Sequence, residues 1–133
     1  MAGAVIVLDT HALLWWALDP DQLSPDAAAL CARMELEGGF ASAISIWELA
    51  VKVERKKLEL PLTIDDFVVR LEASGVIELV AVDAAIWMRA ARLGWAHRDP
   101  ADRVIFATAQ IKGVPLLTKD SVLHEQEPSR CVW

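Results

Sequence analysis

Short apolar runs alternate with amphipathic, well-capped segments along this chain, and that alternation narrows the fold more than any other feature. Ala4–Leu8 is an unbroken run rich in Val and Ile, the pattern of a strand buried on both faces. Phe40–Ser42, Val76–Val82 and Val114–Thr118 are further strand candidates, and Arg130–Trp133 adds a possible edge strand. Between them the spacing predicts helices over Thr10–Leu18, over Ser45–Lys57 and from Asp83 to Leu93-Gly94. Ser24-Pro25-Asp26 opens a helix that the Gly38-Gly39 pair ends. Thr63-Ile64-Asp65-Asp66 resembles a capping box with Asp in place of Glu, its helix ending near Ser74-Gly75. Asp99-Pro100-Ala101-Asp102 opens another, closed by Lys112-Gly113. Strands and helices joined by short connections imply an α/β fold: a three-layer α/β/α sandwich around a central, mostly parallel sheet. The 133 residues hold no repeat, low-complexity tract or long linker, so residues 1–133 are expected to form one domain.

Composition excludes several classes. Apolar residues make up 55% of the chain and the net charge is −6, which argues against disorder and against a coat for polyanions. Two cysteines, Cys31 and Cys131, cannot build a disulfide framework or a four-thiolate metal site, and two free thiols are expected. No basic segment precedes the first apolar run, and no run approaches the ~20 residues of a membrane helix. The expectation is a soluble, cytoplasmic protein with no membrane partner.

In parallel sheets ligands gather beyond the C-terminal strand ends. Asp9 ends the first strand and Asp120 follows the Val114–Thr118 strand, while Asp99 and Asp102 begin a helix. Glu48 sits inside the apolar stretch Ala43–Val51, where a charge is costly unless paired or bound to metal. Singly, each Asp has an ordinary role as a helix cap or as a complement to the helix dipole, and Glu48 can pair with Lys52 four residues on. Gathered at one sheet end, the carboxylates would repel one another, and a divalent cation relieves that repulsion; an all-oxygen set suits Mg²⁺ or Mn²⁺ rather than zinc. His11, His97 and His124 show no zinc-site spacing.

Four segments in this order resemble the PIN-domain family, and specifically the VapC-type toxins of bacterial toxin–antitoxin pairs. They are Val7-Leu8-Asp9-Thr10-His11-Ala12-Leu13-Leu14-Trp15-Trp16; Ser42–Lys52; Arg98–Ala109 with its Asp-Pro-Ala-Asp start; and Leu116-Leu117-Thr118-Lys119-Asp120. The resemblance implies a Mg²⁺- or Mn²⁺-dependent endoribonuclease, acting as a toxin and restrained by a small antitoxin. By position Asp9 and Glu48 match the first two family acids and Asp120 the variable fourth. Asp102 matches the third, with Asp99 its rival, and Thr10 and Thr118 stand where the family often has hydroxyls. Asp9, Asp102 and Asp120 would then hold metal, and Glu48 would bind it through water or accept a proton from the nucleophile. Candidate RNA contacts include Lys52, Arg55, Lys56, Arg98 and Arg103. A homodimer is also expected, since so apolar a short chain suggests a buried dimer face or partner groove. The antitoxin that the resemblance implies is expected to fill an apolar groove flanked by the Trp15-Trp16 and Ile44–Val53 helices and to pair an arginine with the acids. The readings weighed against the toxin are a non-catalytic binding module and a nuclease with a housekeeping role in RNA processing. A receiver domain and a haloacid-dehalogenase-type phosphatase fit less well: a single Asp ends the first strand, and position 11 is His where the phosphatase needs Asp.

Overall fold

The computed structural model describes residues 3–96 and 99–133. Among them five strands are separated by seven α-helices, two between each successive pair of the first four strands and one before the last, with one 3₁₀ turn at Pro20–Gln22. The strands are β1 (Val7–Leu8), β2 (Gly39–Ser42), β3 (Ile77–Val80), β4 (Leu116–Leu117) and β5 (Cys131–Val132). The helices are α1 (Thr10–Leu18), α2 (Pro25–Glu37), α3 (Ala43–Glu54), α4 (Ile64–Ala73), α5 (Ala84–Ala91), α6 (Pro100–Lys112) and α7 (Ser121–Gln126). The sheet runs β3-β2-β1-β4-β5 and every strand pair is parallel. The expected α/β sandwich is therefore present.

Side chains leave alternate faces of a strand, so each central strand feeds two cores. Ile6, Leu8 and Leu117 pack toward α1, α2 and α4, with Leu13, Met34 and Phe67. Val7 and Leu116 face the other way, onto Ile105 and Phe106 of α6 and Leu123 of α7. Val80 meets Ile86 of α5 and Val104 of α6. Helix α6 is the most deeply buried of these, its residues from Val104 to Ala109 being enclosed.

The regular ladders are shorter than the apolar runs that announced them. Burial requires only apolar side chains, whereas a ladder requires a partner strand at each residue, so the predicted Ala4–Leu8 and Val114–Thr118 contract to two paired residues each. Helix α3 begins two residues before its predicted start, capped by the Ser42 hydroxyl on the Ile44 N–H (3.2 Å), and stops at Glu54 rather than Lys57. There Lys56 takes φ +56°, and the Lys56 and Lys57 N–H groups donate to the carbonyls of Val53 (3.1 Å) and Lys52 (2.9 Å). This is a Schellman closure with lysine where glycine usually stands. Helix α7 is an element the sequence pattern did not single out. At Gly39 a Cβ would lie 2.5 Å from the Met34 sulfur, so any side chain in the turn from α2 into β2 would force the buried Met34 to move. Cys31 and Cys131 are buried and free, as expected.

The strand order fixes where a site can form. After β1 the chain builds outward to β2 and β3, then crosses back to place β4 on the other flank of β1. The C-terminal ends of β1 and β4 therefore bound the crevice of a topological switch point.

Candidate active site

Asp9 and Thr118 meet across that crevice. Asp9 leaves the end of β1 in an extended conformation and caps α1, its Oδ1 accepting from the Ala12 N–H at 2.8 Å. Its Oδ2 accepts from the hydroxyl of Thr118, which lies just beyond β4. That hydroxyl in turn accepts from the Asp120 N–H (3.0 Å), and Asp120 caps α7 through the Val122 N–H at 2.8 Å. The His124 Nε2 lies 2.6 Å from the Thr118 carbonyl oxygen, tying α7 to the same turn.

A second link joins α1 to α3. The Thr10 hydroxyl donates to Glu48 Oε1, and Ser45 Oγ lies 2.9 Å from Thr10 Oγ1. Since the single Thr10 hydrogen is committed to Glu48, the Ser45 hydroxyl is the donor of that pair. Thr10 and Ser45 are buried, which is why two small polar residues inside apolar helices cost little here: each is spent on orienting the carboxylate.

One cavity of about 490 Å³ takes in the acids from all four segments: Asp9, Glu48, Asp99, Asp102 and Asp120. Thr10, His11, Trp15, Lys52 and Lys119 complete its wall. Both rival acids thus reach it. Asp99 caps α6, its Oδ1 accepting from the Ala101 N–H (2.9 Å) and the Asp102 N–H (3.2 Å), and still faces the cavity. The electrostatics are set by Asp9, which is only 7% exposed. Burial, with smaller contributions from the neighbouring Asp120 and Glu48 charges, pushes its pKa from the ordinary 3.8 up to about 6 against the opposing Thr118 and Ala12 hydrogen bonds. Among the described residues no Lys or Arg forms an ion pair with it. His11 is held below the usual histidine value, by partial burial first and by Lys52 second.

These donors fit a hard divalent cation by their chemistry: all are oxygen, and among the described residues no Lys or Arg pairs with the buried Asp9. As arranged, no three carboxylate, imidazole or thiolate groups among the described residues stand close enough to ligate one ion. Burial pushes both cysteine thiols up to about 11, so neither offers a thiolate nucleophile at neutral pH.

The candidate RNA contacts separate. Lys52 is on the cavity wall, whereas Arg55 and Lys56 follow the end of α3 and do not line it. The Arg103 guanidinium donates to the carbonyls of Leu93 (2.7 Å), Ala90 (3.1 Å) and Trp95 (3.4 Å), fastening the end of α5 and the loop after it to α6. Arg98 and His97 lie outside the described residues. Lys119, one of the basic residues the sequence offered for RNA, also lines the cavity. Sequence reasoning did not include Ser45 among the site residues; it lies three residues before Glu48 on α3, and a polar residue on that apolar face was the available signal.

A second cavity, about 720 Å³ and mainly apolar, adjoins the first and shares Glu48 and Asp99 with it. Ile44 and Trp47 of α3, Val82, Trp87 of α5 and Pro100 form its walls. The sequence suggested an apolar partner groove flanked by Trp15-Trp16 and the Ile44–Val53 helix. The space between those helices is instead the acid cavity: Trp16 packs against the core and donates to Glu35 (3.0 Å), and the apolar groove lies on the other flank of α3.

The PIN domain model matches residues 6–127 of the chain. The chain is 31% identical over 131 residues to Ribonuclease VapC22 of Mycobacterium tuberculosis (strain ATCC 25618 / H37Rv), covering 96% of this chain and 98% of that one. Its fold is similar to that in the crystal structure of FitAcB from Neisseria gonorrhoeae, with TM-score 0.67, 23% identity and 97% of each chain covered. It is also similar to a toxin–antitoxin complex from Klebsiella pneumoniae, with TM-score 0.62, 18% identity and 96% of each chain covered.

Proposed function

The chain belongs to the PIN-domain family, and from that premise we propose that it is a Mg²⁺- or Mn²⁺-dependent endoribonuclease acting as the toxin of a toxin–antitoxin pair. One observation carries the reading: carboxylates from four separate segments line a single cavity at the sheet's switch point, and the most buried of them has no cationic partner among the described residues. The 31% identity to a VapC ribonuclease supports the substrate class.

In this reading Asp9, Asp102 and Asp120, which as arranged do not stand close enough to share one ion, would draw together around the cation, with Asp99 beside them. When bound, a divalent cation supplies charge neutralisation for the transferring phosphoryl group and lowers the pKa of a water it holds. The rest belongs to the chain. Thr118 and the Ala12 N–H each bind one Asp9 oxygen, which fixes the carboxylate before substrate arrives. The Thr10 hydroxyl occupies Glu48 Oε1 and leaves Oε2 as the acceptor for the proton of an attacking water. Lys52 and Lys119 bring positive charge to the rim, so a phosphodiester can approach a site that is otherwise acidic. With the 3′ oxygen as the leaving group, which takes up a proton, hydrolysis by water leaves a 5′-phosphate and a 3′-hydroxyl.

A toxin needs restraint, and the apolar cavity is where we place it. An antitoxin segment with an apolar face fits between Trp47 and Trp87, and an arginine from it can cross into the shared Glu48 and Asp99 edge and pair with carboxylates. The expected homodimer competes for the same exposed face: if a second copy occupies it, the purified chain elutes as a dimer that the antitoxin disrupts.

The test is cleavage of a single-stranded RNA by the purified chain. Cleavage with Mg²⁺ or Mn²⁺, loss on chelation, and loss in Asp9→Asn support the reading; equal cleavage in chelator, or in the variant, refutes it. Expression without the neighbouring antitoxin gene should arrest growth, and growth at the normal rate would favour a housekeeping nuclease.

A further inference from the structure

Helix α1 spends its apolar side chains unevenly. Ala12, Leu13, Leu14, Trp16, Ala17 and Leu18 all pack against the core beneath the sheet. Trp15 does not. Its indole lines the acid cavity instead, half-buried, in the same wall as Asp9 and Glu48. An indole is the largest apolar group available, and leaving it half-buried beside acids forgoes part of the burial it could have had in the core. Around it stand groups suited to a nucleotide. The exposed Lys119 places its ammonium 5.7 Å over the indole ring. The His11 ring lies 5.5 Å from it at a 40° tilt, and Trp133 meets it edge-on at 5.7 Å. Single-strand binders combine just these parts, an aromatic face for the base beside a cation for the phosphate.

Building on the ribonuclease reading, we propose that Trp15 is a nucleobase-stacking platform that positions one unpaired base of the RNA strand beside the acids, with Lys119 swinging from the ring to the adjacent phosphate. Trp133, at 60° to the indole, and the tilted His11 ring hold Trp15 in place beside the acids. The platform takes bases from single strands and excludes duplexes, whose bases present no free face. Trp15 is thus a positioning residue rather than a catalytic one.

The test uses the full chain in chelator, so that nothing is cleaved, and reads fluorescence anisotropy of two labelled 12-mers: a mixed-sequence single-stranded RNA and an all-abasic ribose-phosphate strand of equal charge. Wild type should bind the base-bearing strand about tenfold more tightly, the scale of stacking one base. Trp15→Leu, which keeps apolar bulk but has no aromatic face, should lose that preference, and Trp15→Phe should keep most of it. With Mg²⁺ present, Trp15→Leu should raise KM for single-stranded RNA with kcat nearly unchanged. If Trp15→Leu keeps the full preference for bases, or if Trp15→Phe loses as much as Trp15→Leu, the platform is wrong and the nuclease reading stands. If wild type binds neither strand and cleaves no RNA with Mg²⁺, both fall together.

Discussion

Two cavities flank Glu48 and Asp99, and they differ in almost every respect except that shared edge. The one between α1, α3, α6 and the turn after β4 is lined by five carboxylates and two lysines, and the hydroxyls of Thr10 and Thr118 hold its acids in place. The other, between α3 and α5, presents Trp47 and Trp87, exposed by 62% and 48%, and offers few polar groups. Preorganised charge is suited to chemistry on a charged substrate; exposed aromatic surface is suited to a protein partner. Because they share an edge, an antitoxin segment in the apolar cavity, as proposed, would reach the acids without a long-range conformational change.

The comparison breaks most visibly if the acids are not the reactive half. Asp9→Asn and Glu48→Gln should each lower RNA cleavage by about 100-fold or more, the scale for losing one preorganised electrostatic group. Trp47→Ser, in the other cavity, should leave the cleavage rate close to wild type. Loss of cleavage in Trp47→Ser with the acid variants active would invert the assignment.

The acid cavity should also strain the fold where the apolar one does not. The Asp9 pKa is about 6 in the folded chain against 3.8 for the ordinary carboxyl. Between those values the folded state holds a proton that the unfolded state has released, so stability falls as pH rises from about 4 to 6 and stays lower above. At 1.36 kcal/mol per unit, the penalty at pH 8 is about 2–3 kcal/mol. Asp9→Asn should remove it, raising metal-free stability by that much at pH 8 and by little at pH 4, as read by denaturant titration. Mg²⁺ should raise the wild-type melting temperature at pH 8 and leave that of Asp9→Asn nearly unchanged.

Trp47→Ser and Trp87→Ser sharpen the other half. Truncating a central aromatic anchor commonly costs about 2 kcal/mol, or roughly 30-fold in Kd, so each should weaken capture of the antitoxin while the RNA cleavage rate holds. The rival acids divide by a smaller effect. Asp99 receives two backbone N–H groups at the start of α6, and Asp99→Ala should cost about 0.5–2 kcal/mol of stability. Asp102→Asn should instead abolish cleavage with less effect on stability, and the opposite pattern would exchange their roles. The smallest effect lies outside both cavities: Lys56→Gly, at φ +56°, should stabilise the chain by up to about 1 kcal/mol with cleavage unchanged.

The contrast also explains what the sequence revealed. Glu48 stood out because a carboxylate inside an apolar run has few ordinary explanations, and Asp9 because it ended a buried strand. The parallel order followed from alternation of elements. The Thr10–Ser45–Glu48 link was hidden, since it joins residues 35 and 38 positions apart and depends on how α1 and α3 pack. Helix α7 has six residues and too little length for a helical period to show. The closure of α3 at Lys56 was equally hidden, because the left-handed residue there is not a glycine. The apolar groove was misplaced because adjacent tryptophans on one helix look alike in sequence, and only packing shows that Trp15 faces the acids and Trp16 the core.

The central claim is that the acids gathered in this cavity bind one divalent cation, with Asp9 and Asp102 among its ligands, and Mn²⁺ binding tests it most directly. Free Mn²⁺ can be followed by its electron paramagnetic resonance signal as purified chain is titrated in at pH 8. The account predicts saturable binding that is lost in Asp9→Asn, lost in Asp102→Asn and much weakened at pH 5, where Asp9 is protonated. Binding of equal strength in wild type and Asp9→Asn, or binding indifferent to pH between 5 and 8, would contradict it.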